Sequence, residues 1–124
     1  IGTFARQQAG DPIAESFFPP ELVMQHQQAI GLTDEQKEFF KQIFRKAQAR
    51  FTEMQWQMQD EAEKMVALVK LDSAIEQQVL AQLDKVLSLE REIKHLQVSL
   101  LIQIKNKLTA EQRTRLMEIK SRSK

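Results

Sequence analysis

The 124-residue chain has no cysteine, which excludes disulfides, thiolate nucleophiles and thiolate metal sites together and leaves the redox compartment open. Glycine and proline are scarce, three of each, and all six (Gly2, Gly10, Gly31, Pro12, Pro19, Pro20) precede Leu32. From Leu32 onward nothing breaks a helix. An excess of one charge is also missing. Eighteen basic against 17 acidic residues give a formal charge of +1, so no global field gathers nucleic acid and any electrostatic partner is selected by local patches. The longest apolar runs, such as residues 66–69, are far too short to span a bilayer. No glycine-rich loop follows a strand pattern, so there is no nucleotide-binding signature. The chain begins at Ile1 rather than Met, which leads us to expect a processed product with an export signal or membrane anchor upstream.

What is present is helical periodicity in one domain's worth of chain, with 42% hydrophobic residues. Residues 1–18 mix Gly, Gln, Asp and Pro without an apolar period and read as a flexible or extended lead-in. Residues 19–124 read as a single helical-hairpin domain. Pro19 and Pro20 suit a helix start and Gly31 the left-handed position past a helix end, which predicts a short first helix over 20–30. Thr33 and Gln36 have capping-box spacing and open a second helix. Its apolar residues Phe40, Phe44, Ala47, Phe51, Met54, Met58, Met65 and Val69 recur at helical steps, with Ala62 filling a gap. Leu71, Asp72 and Ser73 interrupt the pattern, and Ser73 with Glu76 repeats the box spacing, so the chain is expected to turn back near Asp72. The third helix then presents Ile75, Val79, Leu83, Val86, Leu89, Ile93, Leu96, Leu100 and Ile104. Each arm would run roughly 50 Å at 1.5 Å per residue. Thr109 and Gln112 open a final short helix. The expected fold is all-α: a long antiparallel hairpin flanked by a short N-terminal and a short C-terminal helix.

Two boxes share more than their spacing. Leu32-Thr33-Asp34-Glu35-Gln36 and Leu108-Thr109-Ala110-Glu111-Gln112 both read Leu-Thr-x-Glu-Gln. Each residue has a local reason: Leu as a staple before the cap, Thr as the cap, Glu at the positive helix end, Gln closing the box. Their recurrence beside a long hairpin resembles the LTxxQ family of bacterial periplasmic proteins, which groups Spy-like, CpxP-like and zinc-resistance-associated proteins with more distant CnrX-type metal sensors. The resemblance spans residues 20–122. It implies an antiparallel homodimer shaped as a curved cradle, exported to the periplasm or anchored at its N-terminus, and active in envelope stress. Spy-like members are chaperones that use no ATP and hold unfolded clients; a membrane sensor protein is a further implied partner. The alternative from the same family is the sensor domain of a metal-resistance or stress-signalling system.

Setting Phe40 as zero and turning 100° per residue, Trp56 lies about 160° round, away from the hairpin seam. Val98 and Ile102, with His95, form a smaller patch on the back of the third helix. With Lys41 and Arg45 these make the candidate client or dimer surface. Lys37, Lys41, Arg45, Lys46 and Arg50 make the first half of the second helix basic, and Glu53, Asp60, Glu61 and Glu63 make the next part acidic, a polarity that sets dimer register or is an ordinary solvated face. The tail residues Arg113, Arg115, Lys120, Arg122 and Lys124 read as a basic, frayed end. No metal ligand is assigned. His26, His95, Glu92 and Met24 are weak candidates for a divalent transition metal, but Ile30 and Ser99 stand where a His-x-x-x-His or His-x-x-x-Met pair needs its second ligand. No cofactor and no catalysis are expected, because a thin hairpin offers no pocket in which polar groups converge.

Overall fold

The computed structural model describes residues 16–122, which form helices without strands. In chain order these are α1 (Pro20–Gln25), α2 (Gln27–Ile30), α3 (Asp34–Val69), α4 (Glu76–Lys107) and α5 (Ala110–Arg122). The chain is all-α, with α3 and α4 as an antiparallel hairpin and the short helices flanking it. Hydrogen-bonded and ion pairs across the hairpin, Glu35–Lys107, Arg50–Glu92 and Glu61–Gln82, are each centred on Leu71 or the bond after it. The connection between the two long helices lies there, over residues 70–75.

The first helix of the sequence reading is two helices. At His26 the backbone turns to φ −121°, ψ 27°, and its N–H reaches back three residues to Val23 O at 3.3 Å rather than four. The carbonyl this strands, Leu22 O, is met by His26 Nδ1 at 2.9 Å. That contact requires the proton on Nδ1. Pro19 flanks α1 with extended angles, and Phe18 and Val23 occupy the two hydrophobic-staple positions around this start, exposed by only 2% and 0%. Of the expected lead-in, residues 1–15 lie outside the described residues, and Phe18 belongs to the core. Gly31 has φ 69°, and Leu32 N–H to Gln27 O (3.0 Å) with Gly31 N–H to Gln28 O (3.2 Å) complete a Schellman ending.

The third helix also starts later than the box at Ser73 implied. Its first intrahelical bond is Val79 N–H to Ile75 O at 3.0 Å, and Ser73 lies in the preceding bend. Glu76 is exposed here, so no partner element holds a Ser73–Glu76 box closed, whereas the glutamines at the other two boxes are buried. Val69 and Ile75, counted in the apolar stripes, are consequently 55% and 52% exposed at the hairpin end.

The chain divides into two compact units: Arg45–Val98, and the residues before and after it. In the flanking-sequence unit α1, α2 and α5 join the hairpin, and Val23, Phe40, Ile104 and Leu116 are completely buried. Phe40 stacks on Phe44 at 5.7 Å and meets Phe39 edge-on at 5.8 Å. In the Arg45–Val98 unit only Ala47, Met54 and Gln82 are fully buried, and Met58, Met65, Val79, Leu83 and Val86 are half-buried along the seam. Two helices side by side cover only their facing stripes.

Phe40→Ala is expected to cost about 3–5 kcal/mol, while Trp56→Ala stays within about 0.5 kcal/mol of the parent. Urea unfolding of both variants checks the contrast.

Candidate functional site

The two LTxxQ segments meet through their glutamines. At each, Thr Oγ1 accepts the Gln backbone N–H, at 3.1 Å for Thr33–Gln36 and 3.2 Å for Thr109–Gln112. In return each Gln Oε1 accepts its threonine's N–H, at 3.0 and 2.9 Å. Both capping boxes are therefore reciprocal. The side-chain amides then face one another. Gln36 Nε2 donates to Gln112 Oε1 at 2.8 Å, and Gln112 Nε2 donates to Gln36 Oε1 at 2.9 Å. The second hydrogen of Gln36 Nε2 goes to Lys107 O at 2.9 Å, and that of Gln112 Nε2 to Gly31 O at 3.2 Å.

Each amide has two donor hydrogens and an oxygen with two lone pairs, and all four positions are filled on both residues. The orientation of each is fixed by backbone groups whose roles cannot change: an N–H must face oxygen, a carbonyl must face nitrogen. Gln36 is 6% and Gln112 5% exposed, so an unfilled position here would have no water to turn to. Gly31 ends α2, Thr33 precedes α3, Lys107 ends α4 and Thr109 precedes α5. Two positive and two negative helix ends thus converge on one pair of amides.

The motif leucines do something other than what their sequence position implies. A staple needs an apolar residue at the fourth helical position, but those are Lys37, exposed, and Arg113. Leu32 and Leu108 instead join the core, 8% and 3% exposed. Of the tail cations, Lys124 lies outside the described residues, and Arg113, Arg115 and Lys120 are placed differently from a frayed end. Arg113 Nη1 donates to Leu108 O (2.9 Å) and Lys105 O (3.3 Å), Arg115 Nη1 to Ala29 O (3.1 Å), and Lys120 Nζ to Phe17 O (2.8 Å). They close carbonyls and tie α5 to α2 and to the residues before α1. Lys107 Nζ pairs with Glu35 at 3.2 Å and lies 4.8 Å from the Phe39 ring centroid.

The surface candidates are all exposed. Trp56 is 64% exposed, Val98 40% and Ile102 43%, and Lys41 and Arg45 are exposed. Within the Arg45–Val98 unit, Val98 aligns with Leu80 and Leu87, 50% and 49% exposed, which the sequence reading did not single out. Their spacing of seven and eleven residues keeps all three within about 20° of one line along α4. That spacing was readable in the sequence, and the stronger seam beside it masked it. The metal candidates are occupied with other partners or exposed to solvent. His26 Nδ1 is committed to Leu22 O, Met24 Sδ meets the Gln27 amide at 3.9 Å, Glu92 faces Arg50 at 3.7 Å, and His95 is exposed. Among the described residues no three of His, Asp and Glu are arranged to hold a metal ion.

The reciprocal LTxxQ pair is accompanied by a match, over residues 2–115, to the model of the heavy-metal resistance family, which is of the LTxxQ, Spy- and CpxP-like kind. The chain belongs to this family. No curated protein and no solved structure matches it significantly. As a member of the heavy-metal resistance family it carries both motif copies, the second lying inside the matched span. Among its described residues no helix is long and apolar enough to cross a membrane.

Gln36→Ala should cost about 2–4 kcal/mol, since several buried groups lose partners at about 1–3 kcal/mol each. Combined with Gln112→Ala the cost should be about 1–3 kcal/mol less than additive. The near-isosteric Gln36→Glu tests geometry against packing: at neutral pH it aims a carboxylate oxygen at Lys107 O and should destabilise at least as much as alanine, with partial recovery on acidification. Chemical denaturation of the four variants reads all three outcomes, and additive costs would dissociate the two glutamines.

Proposed function

We propose that this family member is an ATP-independent chaperone-like protein of the bacterial periplasm, of the Spy and CpxP type, which holds unfolded envelope proteins on exposed apolar faces of the Arg45–Val98 unit. The observation that carries this reading is an imbalance. Among the described residues, eight of the eleven large hydrophobic residues with marked exposure lie in that unit, including Trp56, Leu80, Leu87 and Val98, while ten of the twelve fully buried apolar residues lie outside it. Exposed apolar surface of this kind marks a surface that meets a partner. Arg91 and Lys94 beside the α4 line, and Glu53, Asp60 and Glu63 near Trp56, keep such a surface soluble and favour clients presenting mixed charge. Half-buried Met58 and Met65 add deformable side chains at the seam. A second copy of the chain, antiparallel to the first, is part of this reading, as is signalling to a membrane sensor protein.

The family's description favours a second reading, a periplasmic metal-responsive sensor domain. It rests on His95, exposed one turn from Glu92, rather than on a formed donor set.

Purified protein should suppress aggregation of an unrelated unfolding client without nucleotide. Trp56→Ala, Leu87→Ser and Val98→Ser combined should weaken client holding by about tenfold, the effect of losing 1–2 kcal/mol of apolar contact, with little change in thermal stability. No suppression by the parent at several-fold excess overturns the chaperone reading. Calorimetry with Zn, Cu or Ni separates the second: heat at micromolar metal that His95→Ala abolishes supports it, and no heat removes it.

A further inference from the structure

The Arg45–Val98 unit contains one fully buried polar side chain among its described residues, Gln82, 6% exposed. Both hydrogens of its amide are spent on a single residue of the opposite helix: Nε2 donates to Glu61 O at 2.8 Å and to Glu61 Oε2 at 2.6 Å. The other carboxylate oxygen, Oε1, accepts Lys64 Nζ at 3.3 Å. The Glu61 side chain is only 20% exposed. Past Met54, no apolar side chain of this unit is fully buried, so the polar contact closes a stretch of hairpin whose apolar seam is half-covered.

We propose that the Glu61–Gln82 contact is an acid-sensitive latch, whose protonation lets the part of the hairpin beyond Met54 open locally and uncovers the seam residues Met58, Met65, Leu83 and Val86. The geometry gives the reason. Gln82 Nε2 and Lys64 Nζ both donate to a charged carboxylate, and a proton on either oxygen removes the charge that makes those two bonds strong. The charged groups facing Glu61 are Asp60 and Lys64 on α3 and Lys85 on α4, with Gln57 and Ser88 lining the same cleft. The Gln82 hydrogen bond, followed by Lys64 and Lys85, holds the Glu61 carboxyl below its ordinary value of 4.5, against the opposing effect of partial burial. A group whose folded-state acidity is strengthened adds stability above its unfolded pKa and gives it up as pH falls through the folded one. The latch is therefore closed at neutral pH and opens on the acid side of 4.5. This concerns the folding of the unit and stands whether or not the chaperone reading does.

Amide hydrogen exchange on the full chain tests it, expressed as protection factors corrected for intrinsic rates at pH 7 and through the acid range. Protection across the α3 and α4 portions beyond Met54 is expected to fall severalfold between neutral pH and pH about 3. Amides around Gln36 and Gln112 should keep theirs. Glu61→Gln, which removes the charge at constant size, should lower protection at pH 7 and abolish the acid step, and Asp60→Asn should retain the step. An acid step that persists in Glu61→Gln, a step lost in Asp60→Asn instead, or unchanged protection in the parent across the range would each overturn the latch.

Discussion

Two glutamine amides with every hydrogen-bonding position filled are the constraint on which the unit formed by residues outside Arg45–Val98 depends. Its flanking helices are short: six residues in α1, four in α2 and thirteen in α5. Helices of that length are marginal in water on their own, because nucleation costs more than a few turns return. They persist because their ends are tied to the hairpin. Gln112 joins the start of α5 to the end of α2, and Gln36 joins the start of α3 to the end of α4. A cap that served one helix would leave the neighbouring terminus to find its own partner. Here the same amide serves both, and the two amides also hold one another.

The individual boxes were legible in the sequence because capping is local: threonine, three residues, glutamine. Their coupling was not, since nothing in either pentapeptide says that its amide has two hydrogens to spare for a segment more than seventy residues away. The misreading at Ser73 has the same origin. Spacing alone proposes a box, and burial of the closing residue decides whether it holds; Gln36 and Gln112 are buried, and Glu76 is not. The staple reading of Leu32 and Leu108 was correctable from sequence, because Lys37 and Arg113 occupy the positions a staple must fill with an apolar group. The break at His26 was less legible. A histidine inside a helical pattern carries no mark of a ring nitrogen that will replace its own backbone N–H at the carbonyl of Leu22.

The apolar period gave the hairpin and its turn correctly but could not rank the stripe by burial. Phe40 and Val69 look alike as periodic hydrophobic residues, yet one is completely buried and the other 55% exposed. The difference lies in layers. Leu100 and Leu101, adjacent in α4, are both buried at 6% and 3%, which requires cover from two directions. Such cover comes from the short helices, and their presence was predicted without any indication of how far along the hairpin it extends.

Layering also bears on what the Arg45–Val98 unit can bind. A two-helix layer has a seam and two flanks, and on α4 one flank carries Leu80, Leu87 and Val98 in line. A pocket for a small molecule encloses most of its ligand and orients it with a few fixed polar groups. An exposed aliphatic line does neither. Its affinity grows with length of contact and is indifferent to the order of side chains in the partner, because burial of apolar area has no direction. On the chaperone reading proposed above, its occupant would be an extended or partly folded chain with apolar residues to cover, bound weakly enough to be released without an energy source.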